Sequence, residues 1–144
     1  MLTEKDKIEQ FKRDLRSYTY HQKKAMEIDE KLEELAVKMQ GVSSPSTKEI
    51  ILENAGNPYG EKKLELLMEE GELVKERNKH LSEIQRIDEA LRLIDVEGRN
   101  ILIYVFVNHN SYYESAETFS RSISKLRRDM NTYLKIILKN ESFE

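Results

Sequence analysis

Between Leu2 and Met39 the apolar residues Ile8, Phe11, Leu15, Tyr18, Ala25, Ile28, Leu32, Leu35 and Met39 recur in alternating steps of three and four, with one polar break at His21 and Gln22. Only an α-helix brings positions three and four apart onto one face, so this rhythm predicts a single helix over residues 2–39. Such a helix would be about 57 Å long at 1.5 Å per residue, and a helix with one apolar stripe draws its stability from packing that stripe on a partner. Leu64, Leu67, Val74, Leu81, Ile84, Leu91 and Ile94 repeat the same rhythm, with Gly71 and Asn78 in two of the expected apolar slots. Two stripes of similar length point to an antiparallel hairpin.

The punctuation of the chain agrees. Both prolines and three of the five glycines fall in residues 41–60, GVSSPSTKEIILENAGNPYG, which reads as the turn region. Within it, Ser46 and Glu49 fit a capping box and Gly56 a helix end, so Thr47–Asn54 is expected to form a short helix across the tip. Charged residues make up 35% of the chain, against about 25% in an ordinary globular domain. Long paired helices accommodate that surplus better than a large round core does.

After Asp95 the pattern changes. Asp95–Gly98 interrupts the heptads and is followed by ILIYVFV, whose β-branched and aromatic content suits a buried strand or a buried helix. No other segment alternates as a strand partner would, so Val96–Val107 is read as a helix. A turn at Asn108–Asn110 follows, then Ser111 as the cap of a short helix ending near Glu117. Ser120 is read as the cap of a last helix, Arg121–Lys139. The expected fold is therefore all-α: a helical hairpin over residues 1–94 with its turn at 41–60, then a small helical bundle over residues 95–144.

The same residues narrow the chemistry. There is no cysteine, which removes disulfides, thiolate catalysis and cysteine zinc sites. The longest apolar run, Ile101–Val107, is far short of the roughly 20 residues that a bilayer-spanning helix needs, so a cytoplasmic protein without membrane contact is expected. His21, His80 and His109 are widely separated and form no pair spaced for a metal. Neither a glycine-rich phosphate loop nor a nucleophile elbow is present. No catalytic, cofactor or metal site is expected, and the chain is not read as an enzyme.

Charge is distributed unevenly. Residues 99–140 hold seven Lys and Arg against three Asp and Glu, while the chain as a whole has 24 against 27. Four of those seven, Arg121, Lys125, Arg127 and Arg128, lie in the first two turns of the last helix. A helix start rich in Arg, Lys and Ser suits phosphate and base-edge contacts in a major groove, and it equally suits a solvated basic face.

The stretch IDVEGRNILIYVFVNHNSYYESAETFSRSISKLRRDMNTYLKII resembles the helix-turn-helix of sigma-factor region 4 through Ser111, Tyr112, Glu114, Ala116, Ser120, Arg121, Ser122, Ile123 and Leu126. With the charged hairpin before it, the whole chain is similar to small phage and prophage transcriptional regulators of the ArpU type. That resemblance implies a supporting helix at Val96–Val107, a positioning helix at Ser111–Glu117 and a recognition helix at Arg121–Met130. Ala116 would sit at the helix crossing, and Ile123 and Leu126 would face the core. Ser120, Arg121, Ser122, Ser124, Lys125 and Arg128 would face double-stranded DNA, with Arg127 completing the basic cluster. Ser120 and Lys125 are expected on phosphate and Arg121 and Ser124 on bases. The chain departs from the pattern at Ser115, where an apolar residue is usual, and in its short turn of Glu117, Thr118 and Phe119, which implies a tilted or partly buried recognition helix.

Three functions follow as expectations. The first is a phage-type regulator that binds DNA, alone or with host RNA polymerase. The second is a phage-encoded inhibitor or adaptor that occupies a host protein, such as a polymerase subunit or a defence nuclease, without reading DNA. The third is a coiled-coil spacer. A homodimer is also expected, because Met26, Val37, Leu66 and Leu73 lie off the two stripes.

Overall fold

The structure, a computed structural model, describes residues 2–42 and 58–141. The short helix expected at Thr47–Asn54 lies outside the described residues. Those described are all-α, with no strand among them: α1 is Glu4–Arg16, α2 Tyr18–Val42, α3 Pro58–Leu91, α4 Val96–Leu102, α5 Tyr112–Thr118 and α6 Ile123–Glu141. A π-helical turn, Ile103–Val107, continues α4.

The first stripe is divided between two helices. Thr3 opens α1 with a capping box, its Oγ1 accepting the Asp6 N–H at 3.1 Å while Asp6 Oδ2 accepts the Thr3 N–H at 3.2 Å. The break falls at Ser17, whose hydroxyl donates to the Asp14 carbonyl at 2.8 Å. A serine that bonds back to its own helix bends it there. The expected single helix over 2–39 is thus two consecutive ones.

The chain forms two compact units, residues 23–81 and residues 1–22 with 82–144. In the first of these, α2 and α3 pair antiparallel: Asp29 meets Arg77 at 3.1 Å, and Leu35, further along α2, packs on Leu66, further back along α3. On α2 the expected stripe is the packed one, with Ala25, Ile28 and Leu35 buried and Leu32 and Met39 half-buried. On α3 the packed line differs from the expected one. Leu66, Leu73 and His80, spaced by seven, turn inward with Glu70 and Arg77 between them, while Leu64, Leu67 and Leu81 remain exposed. Two apolar stripes compete on this helix. The inner one is diluted by polar residues and is therefore the fainter in sequence.

The other unit holds the larger core. Ile8, Phe11 and Leu15 of α1 join Ile87, Ala90, Leu91 and Ile94, the run Ile101–Val107, Ala116, and Leu126, Met130, Leu134 and Ile137 of α6. At roughly 1.5–3 kcal/mol per fully buried large side chain, this cluster is what holds the unit together. α1 packs on both α6 and the π-helical turn. Arg86 anchors α1 by reaching Asp14 at 2.8 Å, and at the start of α2 the Tyr18 hydroxyl donates to Asp88 Oδ1 at 2.8 Å. Asp95 caps α4 by accepting the Gly98 N–H at 2.8 Å, which accounts for the break in the heptads there.

Among the described residues no helix is long and apolar enough to cross a membrane, and no group of three His, Asp or Glu could hold a metal ion.

Candidate nucleic-acid interface

α5 and α6 are two helices joined by a short turn, and capping explains the boundaries of both. Ser111 Oγ accepts the Glu114 N–H at 3.1 Å and so starts α5. Ser115 is fully buried, and its hydroxyl donates to the Ser111 carbonyl at 2.7 Å. The turn is Phe119–Ser122. Here Ser120 has φ 55, the Ser120 N–H reaches the Glu117 carbonyl at 3.2 Å, and the Arg121 N–H reaches the Ala116 carbonyl at 2.8 Å. Those two bonds around a left-handed residue are the Schellman closure of a helix, with serine in the place usually held by glycine.

Ser120 is consequently the end of α5 and not the cap of α6. Ser122 takes that role, its Oγ accepting the Lys125 N–H at 3.1 Å, so the helix starts at Ile123 instead of Arg121. Ile123, expected in the core, is exposed. Leu126 and Ala116 are buried as expected.

The structure sorts the seven candidate residues. Ser120 and Ser122 are exposed, but their geometry is given over to the turn and the cap. Arg121 is turned inward: its side chain is 14% exposed, its Nη2 pairs with Glu97 Oε1 and its Nε lies 3.2 Å from Asp129 Oδ2. It clamps the start of α4 to α6 beside Tyr133, whose phenol is held above its ordinary range by burial first and then by the charge of Asp95. Ser124, Lys125, Arg127 and Arg128 are exposed. At 100° per residue Ser124 and Arg128 lie opposite the buried line Leu126, Met130 and Leu134, with Lys125 beside them. Arg127 sits on the α5 side, its guanidinium 5.3 Å from the centre of the Tyr112 ring.

Two cations from α1, absent from the sequence-based set, extend this face. Lys12 joins Tyr112, Arg127, Met130 and Asn131 around a cleft of about 200 Å³. Arg16 lies 5.3 Å from the Phe106 ring centre and lines a second cleft of about 360 Å³ with His109, Ser111 and Tyr112. Their sequence signal is weak, because they stand about a hundred positions from Tyr112 and Arg127 and read as the polar side of a hairpin helix. Arg121 has no usable signal either, since Asp129 is eight residues on and Glu97 lies two helices back.

Comparison of the chain with protein-family models, with curated proteins and with solved structures found no match.

Proposed function

We propose that this protein is a phage-type transcriptional regulator that binds double-stranded DNA, alone or together with host RNA polymerase, through the outer face of α6. The observation that carries this reading is the disposition of residues 124–128. Ser124, Lys125, Arg127 and Arg128 are exposed in the first turns of the second helix of a helix-turn-helix, while Leu126 alone holds that segment to the core. Helices presented in this way enter the major groove. Lys125 and Arg127 serve phosphate, and Arg128, on the outermost line of the helix, takes the base-reading position. Lys12 and Arg16 add phosphate contacts from α1. Arg121 supports the module from inside.

The test is binding of fragments of its own genome across a salt series. Each phosphate contact contributes a slope of about −0.9, so Lys125→Ala should weaken all fragments alike and make the slope shallower by about one. Arg128→Ala should cost about 1–3 kcal/mol at one base position and relax preference there. Retention of no fragment at any salt rejects the reading.

A second reading, occupation of a host protein, draws on the exposed Tyr113 and Ile123 of the same module, apolar groups that a DNA face does not require. Capture of one bacterial protein, unaffected by nuclease and lost in Tyr113→Ala, would favour it.

A further inference from the structure

The helix α3 carries two seams. The first, Leu66, Leu73 and His80, faces α2. The second, Leu64, Leu67, Gly71, Val74, Asn78 and Leu81, keeps strict alternation of three and four over six positions. At 100° per residue it lies about 130° around the helix from the first. Its leucines are uncovered, with Leu64 59% and Leu67 and Leu81 43% exposed, Val74 is half-buried, and Met68 on its flank is 64% exposed. A Cβ at Gly71 would meet nothing within 4 Å. A seam with a period of 3.5 residues is the pattern by which one helix coils against another, and among the described residues its leucines are left exposed.

We propose that a second copy of this chain covers the seam, α3 against α3 in parallel and in register, so that the protein dimerises through Leu64–Leu81. Asn78 selects that partner and that direction. It occupies an a-type position, where in a parallel pair the amide meets its own copy and each satisfies the other, fixing register and the two-stranded state. An antiparallel alignment would set the amide against Leu67 and leave it unsatisfied in an apolar layer.

The flanks match themselves as well. Glu70, half-buried at the border between the two seams, and Lys75 hold the g and e positions five residues apart, and neither forms an ion pair among the described residues. A two-fold axis parallel to the helix forms the Glu70–Lys75 bridge twice. On the same pattern Lys63 meets Met68 of the second copy, so no cation is set against a cation there. A patch that complements itself about a two-fold is what a closed symmetric dimer requires. Gly71 contributes no side chain to its layer, which keeps the association modest.

Sedimentation of the full chain over a wide concentration range tests this. The expected result is a dimer, converted to a monomer by Leu67→Glu combined with Leu81→Glu. Helix content by circular dichroism should be unchanged, because both leucines are exposed in the single chain. A monomer throughout, or a dimer that survives the double variant, overturns the proposal. The chain has no cysteine, so Asn78→Cys supplies one thiol per copy and should give a disulfide-linked dimer under mild oxidation. Linkage only when Leu67→Cys and Asn78→Cys chains are mixed overturns the parallel register.

Discussion

Replacing Gly98 with alanine sets two effects of opposite sign against each other, and the structure decides between them. Gly98 is the third residue of α4, its N–H held by Asp95, and it is buried. Helix propensity alone favours Gly98→Ala by up to about 1 kcal/mol. The new Cβ, however, would lie 2.6 Å from Cδ1 and Cε1 of Tyr133 and 2.9 Å from its Cγ, where unstrained carbon contacts are about 3.5–4.0 Å. The ring must move by about 1 Å, or α4 and α6 must separate, and overpacking of this kind costs roughly 1–3 kcal/mol. The net expectation is a loss of about 1–2 kcal/mol in urea unfolding and a melting temperature lower by about 3–8 °C. The same change at Gly71, where the added methyl meets nothing within the single chain, should stabilise that chain by about 1 kcal/mol. Removing the obstacle is the control: Tyr133→Ala should cost less in the Gly98→Ala background than in wild type, with a coupling energy of at least about 1 kcal/mol. A Gly98→Ala protein as stable as wild type, or more so, would refute the close approach of α4 and α6.

Ser120→Gly should raise stability by about 1 kcal/mol, since a serine at φ 55 bears most of the left-handed penalty that glycine avoids; a lower urea midpoint would contradict the turn geometry. Arg121→Met should cost about 1–2 kcal/mol by leaving Asp129 and Glu97 without their shared cation, whereas Lys125→Ala should leave unfolding unchanged and act on DNA affinity alone. The Tyr18 phenol is pushed up to about 12 from 10.0 by burial and by its bond to Asp88. Its folded value is the higher one, so its contribution is whole below pH 10 and fades between pH 10 and 12. Stability should therefore fall across that window, and less steeply in Tyr18→Phe.

The α2 seam was legible because nearly every position of its stripe is apolar and one partner suffices to cover it. The α3 seam was not, because leucines on a second stripe outnumber those facing α2, and one helix read alone does not reveal which stripe meets which neighbour. At the site, Ser111 and Ala116 were legible from local chemistry, a capping serine and a small residue at a crossing. Ser120 and Ser122 are equally good caps by type. Only the left-handed turn, built from hydrogen bonds back to Ala116 and Glu117, chooses between them. Arg121 shows the same limit, since a cation in a basic cluster looks available until the carboxylates of Glu97 and Asp129 are in place. The π-helical turn at Ile103–Val107 follows from the wider spacing of its backbone bonds, and composition there announces only burial.

The packing of α1 on α6 sets an order of events during synthesis. Phe11 and Leu15 share a core with Met130 and Leu134, so an apolar stripe waits for a partner synthesised more than a hundred residues later. Residues 23–81, by contrast, are complete as a unit before Ser82 is added. Pairing of α2 with α3 in that interval shortens the free chain between α1 and its partners, and each halving of such a loop saves about 0.6 kcal/mol of closure entropy. The basic face of α6 therefore takes its final form last, after the hairpin between its two supports has already closed.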